Sequence, residues 1–241
     1  MNSAATGKPP RVPYADDWKE LGGELYRPSG APRAAVAVFP TIMNPTKAVR
    51  DKAEALAEAG YLAMICDFYG ATPGDFGEAR VLAGELRADV SAYRRRLHAG
   101  LHALANLPEA DGLPMAAIGF CMGGQAVLEL ARDGAPLSCV ASFHGLLDTD
   151  RPAVNGAVRA RVLVCHGDAD PMVPRSAVTE FWDEMDRAGA NWHFHSYSGV
   201  KHGFTNPYPV TGSDAVAYDK SADRQSWAAM LSLFDEIFAL D

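Results

Sequence analysis

Hydrophobic residues along the chain follow two patterns that alternate. Short apolar runs give way to longer segments in which apolar positions recur every three or four residues. The short runs predict buried strands, and the longer segments predict helices that bury one face. This alternation is typical of βαβ units around a mostly parallel central sheet with helices on both faces. The predicted fold class is therefore α/β.

Both patterns can be assigned to specific segments. Strands are predicted at 34–39, 61–66, 114–120, 138–143, 161–165 and 192–197, and helices at 47–59, 122–133, 176–187 and 222–240. One longer amphipathic helix is predicted from Leu82 to Leu104, because a single apolar stripe continues through it. Residues 1–17 are polar and rich in Pro and Gly, and we expect them to form an extended N-terminal segment.

Composition limits the class of protein further. A chain of 241 residues with 48% hydrophobic content is expected to form a single α/β domain over 1–241. Its net charge of −8 argues against a nucleic-acid partner, since binding to phosphates normally needs a positive face. The one dense basic run, Arg94–Arg96, lies within the long helical pattern and is predicted to be a solvated helix face.

The cysteines and the N-terminal residues indicate in which cellular compartment the protein is expected. Cysteines at 66, 121, 139 and 165 fit no zinc-binding spacing and are few for a disulfide scaffold. Neither a signal peptide nor an apolar run long enough to span a membrane is visible. These features predict a cytoplasmic protein with reduced thiols and no membrane partner. His193 and His195 share a strand face, but no third ligand accompanies them, so no metal site is predicted.

The clearest chemical signal is the segment Gly119–Gly124, which reads Gly-Phe-Cys-Met-Gly-Gly between a predicted strand and a predicted helix. A nucleophile flanked by small residues at such a junction is the nucleophile elbow, G-x-S-x-G, here with Cys121 in place of serine. The helix N-terminus favours a thiolate at Cys121. Cys66, Cys139 and Cys165 lie in or at apolar strands and are predicted to be structural.

An oxyanion hole is expected beside this elbow. The Met122 backbone N–H follows the nucleophile directly and should face the developing oxyanion. The second donor normally comes from the loop after an earlier strand. That loop begins at Thr41, and we expect the N–H of Thr41 or Ile42 to contribute.

The acid and the base should follow the nucleophile in that order. Asp168 and Asp170 both come after the strand at 161–165. We favour Asp170, because the turn that follows it can hold its carboxylate towards a histidine, and interpret Asp168 as bracing the loop. His202 follows the last strand and is the predicted base, oriented by Asp170.

Five motifs occur in order along nearly the whole chain. They are Phe39-Pro40, Asp67-Phe68-Tyr69-Gly70, Gly119–Gly124, His166-Gly167-x-x-Asp170-Pro171-x-Val173-Pro174 and Gly199-x-x-His202-Gly203-Phe204. In this combination the sequence resembles the dienelactone hydrolase family. The resemblance implies a compact, eight-stranded α/β-hydrolase that is commonly monomeric and needs no cofactor. It also implies attack by Cys121 on a small-molecule ester or lactone, with Asp170 and His202 completing the triad.

The chain departs from that family at two positions. Many members carry a glutamate where this chain has Thr41, and dienelactone-cleaving members carry an arginine shortly after the catalytic histidine, where this chain has Asn206. Arg80 or Arg87 could supply a charge instead, but a more neutral ester than dienelactone is expected. The residues predicted to line the substrate pocket are Phe39, Tyr69, His144, Phe204 and Asn206.

Two other functions remain open at this point. A thioesterase or a peptidase-like acyl hydrolase would use the same three groups, because fold and triad do not fix the leaving group. A non-catalytic member would keep the pocket as a small-ligand site, although it would not need all three groups. For any of these functions, a monomer or a weak homo-oligomer is expected.

Overall fold

One sheet runs through the computed structural model, which describes residues 8–208 and 213–239. Its strands are β1 (Arg11–Ala15), β2 (Glu20–Tyr26), β3 (Ala35–Phe39), β4 (Leu62–Ile65), β5 (Met115–Phe120), β6 (Cys139–Phe143), β7 (Arg161–Gly167) and β8 (Trp192–Tyr197). They lie in the order β1-β2-β4-β3-β5-β6-β7-β8, antiparallel from β1 to β4 and parallel beyond. The predicted α/β class is confirmed.

Helices cover both faces of this sheet. They are α1 (Lys47–Glu58), α2 (Phe76–Arg87), α3 (Val90–Ala105), α4 (Met122–Arg132), α5 (Arg175–Arg187) and α6 (Lys220–Ile237). Along β3, Ala35, Ala37 and Phe39 belong to the core beneath α3, α4 and α5, whereas Val36 and Val38 belong to the core beneath α1 and α6. A strand buried on both faces explains why its sequence is a continuous apolar run.

The six predicted strands and the four shorter predicted helices are present, with ends shifted by a few residues. The predicted end of the last helix at 240 lies outside the described residues. Of the predicted extended segment at 1–17, residues 1–7 also lie outside them, and β1 occupies 11–15. In the described ranges, no helix combines the length and apolarity that crossing a membrane requires.

The single long helix predicted from Leu82 to Leu104 is wrong. The structure ends α2 at Arg87 and starts α3 at Val90. Asp89 has extended backbone, and its carboxylate accepts hydrogen bonds from the backbone N–H groups of Ser91 and Ala92, so it caps a new helix. The apolar spacing continued across the break because both helices bury their apolar sides.

The two N-terminal strands were not predicted. β1 is a sheet edge whose residues alternate between exposed and half-buried, so it carries little apolar signal. β2 contains Gly22 and Gly23, which normally disfavour a strand. Here a Cβ at Gly23 would lie 2.7 Å from the sulfur of Met64 on the neighbouring strand. The packing of the Met64 side chain over β2 therefore favours glycine at this position.

The prediction that Arg94–Arg96 forms a solvated face is wrong for two of the three arginines. Arg94 is buried. It pairs with Glu129 at 2.8 Å and with Asp133 at 3.0 Å. The largely buried Arg96 pairs with Asp16, and only Arg95 is exposed. The acidic partners of Arg94 and Arg96 lie far away in the sequence. The pattern of charges along α3 alone therefore could not predict that Arg94 is buried and Arg96 largely buried.

Arg94 belongs to a buried ion network that joins three helices. Arg132 pairs with Glu129 at 3.0 Å and with Glu184 of α5 at 2.8 Å, and its side chain is fully buried. Arg132 also donates a hydrogen bond to the Leu147 carbonyl, and Arg94 donates to the backbone beyond it. The network therefore fastens the segment after β6 to α3, α4 and α5.

Arg132→Met is expected to destabilise the protein by about 3–5 kcal/mol, because it leaves buried Glu184 without its cation and leaves Glu129 with Arg94 alone. Chemical denaturation followed by circular dichroism would measure the loss. Arg161→Met, which breaks the exposed pair with Glu236, is the matched control and should cost at most about 1 kcal/mol. Equal stability losses in the two variants would contradict the interpretation of the network.

Candidate active site

Cys121 lies at the junction of β5 and α4, in a strained backbone conformation. Its φ is 56° and its ψ is −116°, which residues with a side chain rarely adopt. The Cys121 N–H donates a hydrogen bond to the Phe143 carbonyl of β6, with an N···O distance of 3.0 Å. Strain of this kind costs about 1–3 kcal/mol and persists only where the surroundings enforce it. The turn holds the side chain at the end of the strand, where the helix begins.

Glycines on either side let this turn close. A Cβ atom at Gly119 would lie 1.9 Å from the Gly123 carbonyl oxygen, and one at Gly123 would lie 2.0 Å from the Phe39 carbonyl oxygen. Both separations are far below van der Waals contact, and the atoms met are backbone. The geometry at both positions therefore demands glycine, as the elbow pattern predicted.

Asp170 and His202 meet on the loops after β7 and β8. His202 Nδ1 lies 2.7 Å from Asp170 Oδ2, and both residues are buried. The other carboxylate oxygen of Asp170 accepts a hydrogen bond from the Met172 N–H at 2.8 Å. Asp168, the alternative acid, instead pairs with Arg175 at the surface. The structure thus brings Asp170, and not Asp168, to the histidine.

Charge coupling links His202 to Cys121. Burial most strongly raises the pKa of the Cys121 thiol, but the neighbouring His202 ring and two backbone amides together outweigh it, so this pKa lies below its ordinary value of 9.0. For His202, burial most strongly lowers the pKa, but Asp170 and Cys121 raise it to about 10. Both directions favour a thiolate next to an imidazolium.

Two backbone amides also act on the sulfur. The backbone N–H groups of Met122 and Ile42 help to lower the pKa of the Cys121 thiol, because their dipoles favour the thiolate. Thr41 uses its hydroxyl to accept from the Met43 N–H and its carbonyl to accept from the Asn44 N–H. Met122 and Ile42 therefore supply the arrangement that an oxyanion hole requires, and a part for the Thr41 N–H stays a prediction.

A second histidine touches the same turn. His144 Nδ1 lies 3.1 Å from the Cys121 backbone nitrogen, and Nε2 lies 2.8 Å from Thr205 Oγ1. Its ring meets the His202 ring edge-on, with centroids 5.2 Å apart. Burial, followed by the charge of His202, holds the pKa of His144 well below 6.5, so this ring is neutral. Sequence reasoning placed His144 at the pocket but did not foresee these contacts.

Cys121 and His202 open into a cavity of about 510 Å³. Of the five residues predicted to line it, His144 and Asn206 do so. The predictions for Phe39, Tyr69 and Phe204 are wrong, because none of these three buried residues is part of the cavity lining. Tyr69 donates a hydrogen bond to the Met122 sulfur, and Phe204 packs edge-on against His144.

One wall of the cavity comes from α2, which sequence reasoning missed apart from its arginines. The lining residues on this helix are Phe76, Arg80, Ala83 and Arg87. They follow each other at intervals of three or four residues, so they share one face of the helix. That spacing was a usable signal, but it was hidden by the incorrect assignment of one continuous helix. Exposed Met172 lies in the lining as well.

The site combines a strand–turn–helix that carries Cys121 at the turn with a buried aspartate and histidine that follow later in the chain. The dienelactone hydrolase family model matches residues 21–238. The chain belongs to the dienelactone hydrolase family. This membership makes the protein a member of the α/β-hydrolase superfamily and places it among hydrolases that act on esters or lactones.

Solved structures of dienelactone hydrolase-like proteins match over nearly the full length. One named m3DLH is 36% identical, has a TM-score of 0.90, and the match covers 95% of this chain and 98% of that one. A dienelactone hydrolase-like promiscuous phosphotriesterase from metagenomic libraries is 35% identical, with a TM-score of 0.88 and coverage of 95% and 97%. A probable 2-oxo-3-(5-oxofuran-2-ylidene)propanoate lactonase from Bradyrhizobium sp is 27% identical over 79% of this chain and 84% of its own length.

The reactivity of Cys121 towards iodoacetamide should persist below pH 9, because only the thiolate reacts and the pKa of the thiol is lowered. The rate should fall as the pH drops through that lowered pKa. In His202→Gln the midpoint should move upward, since only the two backbone amides then oppose the effect of burial on the Cys121 pKa. Mass spectrometry of the alkylated peptide would measure both profiles.

The other cysteines serve as internal controls for this experiment. Burial raises the pKa of Cys139 and of Cys165 to about 12, so both should stay unmodified in the folded protein. Identical midpoints for the wild type and His202→Gln would show that His202 does not act on the thiol.

Proposed function

We propose that the protein hydrolyses small carboxylic esters or lactones, with Cys121 as nucleophile, His202 as acid and base, and Asp170 as the group that orients His202. The observation that carries this proposal is the buried Asp170–His202 pair, whose charge acts on the Cys121 thiol and which shares one cavity lining with it. The lowered pKa of the thiol supports a resting thiolate, even though Thr41 replaces the glutamate that many family members carry.

In the first half of the reaction, the Cys121 thiolate attacks the carbonyl carbon and forms a C–S bond. The electron pair of the C=O double bond moves to oxygen, where the N–H groups of Met122 and Ile42 stabilise it. When the C=O bond reforms, the C–O bond to the leaving group breaks, and the leaving oxygen takes the proton from His202 Nε2. The product is a thioester on Cys121, together with an alcohol. From a lactone, the alcohol stays attached to the acyl group.

In the second half, water attacks the thioester. Neutral His202 accepts a proton from the water at Nε2 as the new C–O bond forms. The C–S bond then breaks, Cys121 leaves as a thiolate, and the carboxylic acid departs. The proton retained by His202 restores the ion pair, with Asp170 holding Nδ1 throughout. These steps use water and the chain's own groups.

The walls of the cavity support an uncharged substrate. Many side chains in the cavity lining are apolar, and its cations besides His202 are Lys52, Arg80 and Arg87. Lys52 pairs with Asp223 at 2.6 Å, and Arg87 lies 3.9 Å from Asp148, so two of the three have acidic neighbours. Asn206 lines the cavity where dienelactone-cleaving relatives place an arginine. A neutral short-chain ester or a simple lactone therefore fits better than a carboxylate-bearing lactone.

Hydrolysis of p-nitrophenyl acetate by the wild type and by Cys121→Ala tests the proposal. We expect turnover by the wild type and a loss of at least about 10³-fold in Cys121→Ala, the scale seen when a nucleophile is removed. Cys121→Ser should retain little activity, because the elbow and His202 are arranged for a thiolate. Release of p-nitrophenol gives kcat and KM for each variant.

Cys165→Ala is the matched control, since Cys165 lies in β7 away from the cavity lining. It should leave kcat/KM close to the wild-type value. An inactive wild type whose Cys121 still alkylates rapidly would favour the non-catalytic, ligand-binding alternative. Equal turnover by the wild type and Cys121→Ala would refute the assignment of the nucleophile.

A further inference from the structure

A buried hydrogen-bonded pair lies next to the proposed triad and takes no part in the steps above. His144 and Thr205 are 2% and 4% exposed, and both line the cavity. The imidazole bridges two elements of the site: Nδ1 contacts the Cys121 backbone nitrogen, and Nε2 contacts the Thr205 hydroxyl at 2.8 Å. A polar pair this deeply buried at a reactive centre calls for a functional explanation.

The position of the imidazole proton follows from these contacts. The Cys121 N–H is shared between the Phe143 carbonyl at 3.0 Å and His144 Nδ1 at 3.1 Å, so Nδ1 faces a donor and carries no proton. A neutral ring then carries its proton on Nε2. Nε2–H therefore donates to Thr205 Oγ1. The Thr205 hydroxyl keeps its own proton, for which no acceptor is present among residues 8–208 and 213–239. This proton is available to a molecule in the cavity.

The surroundings keep His144 in that state. A proton on Nδ1 would point at the Cys121 N–H and break the contact between them. The charged groups that act on the ring are His202, which meets it edge-on, and Lys52. Both are cationic and oppose a second positive charge. The ring therefore stays neutral, and the direction of its Nε2–H bond is fixed.

We propose that His144 and Thr205 form a neutral relay that aims the Thr205 hydroxyl proton at an oxygen atom of the bound substrate. This inference rests on the proposed ester hydrolysis. Thr205 contacts the same ring that contacts the Cys121 amide, so its hydroxyl lies at the reacting end of the cavity. The relay would favour substrates with a hydrogen-bond acceptor close to the reacting carbonyl, such as the ring oxygen of a lactone.

Thr205→Val and Thr205→Ser provide the test, because valine keeps the shape and serine keeps the hydroxyl. We expect Thr205→Val to lower kcat/KM for p-nitrophenyl acetate and for a simple γ-lactone by about tenfold or more, the scale of one lost hydrogen bond. Thr205→Ser should recover most of that loss. The rate and pH midpoint of Cys121 alkylation by iodoacetamide should be the same in both variants. Thr179→Val, on the exposed side of α5, controls for the substitution itself.

His144→Asn tests whether the two residues act together. Asparagine tolerates the positive φ of 42° at this position, and its carbonyl can accept from the Cys121 N–H, but it lacks a donor at the position of Nε2. We expect a loss of kcat/KM similar to that in Thr205→Val, and little further loss in the double variant. Independent, multiplicative losses would overturn the relay.

The remaining outcomes separate this inference from the proposed function. Wild-type kcat/KM in Thr205→Val would overturn the relay and leave the hydrolase proposal standing. Parallel losses of ester turnover and Cys121 alkylation would also overturn it, because Thr205 would then only hold the triad in place. If the wild type alkylates rapidly but turns over neither ester nor lactone, the proposed function itself fails, and the relay to a substrate fails with it.

Discussion

The structure of the site depends on one backbone constraint, the left-handed turn at Cys121. The start of α4 passes so close to the end of β5, and to the loop after β3, that the residues on either side of the turn have no room for a side chain. The same crowding brings the amides of Met122 and Ile42 to the Cys121 sulfur. A relaxed turn would separate these groups, so the strain in the backbone and the chemistry of the thiol have a common origin.

Burial of charge is the second constraint. Away from the site, Arg94 and Arg132 neutralise carboxylates between the helices. At the site, burial opposes the charged forms of Cys121 and His202. Each stabilises the charge of the other, and Asp170 and the two amides add to this. His144 avoids the cost of a buried charge, because its contacts keep the imidazole neutral. Three ionisable groups therefore share a small volume around a single ion pair.

Much of this arrangement could be predicted from the sequence because it is local. The elbow at Cys121 is encoded by neighbouring glycines, and the parallel strands are encoded by apolar runs. Asp170 was favoured over Asp168 from the turn that follows it, and the structure places it against His202. What could not be predicted depends on distant partners. The burial of Arg94 follows from Glu129, the hydrogen bonds of His144 follow from Thr205, and the burial of Phe39 and Phe204 follows from the direction of their side chains.

The placement of α2 has a consequence for how such an enzyme diversifies. This helix carries much of the cavity wall but contributes nothing to the sheet, and it packs chiefly against α3. Substitutions at Phe76, Arg80 and Arg87, which lie outside both cores, can therefore alter the shape and charge of the cavity while the turn at Cys121 stays intact. Selectivity and chemistry are thus encoded in separate parts of the chain, and a lineage can change the first while conserving the second.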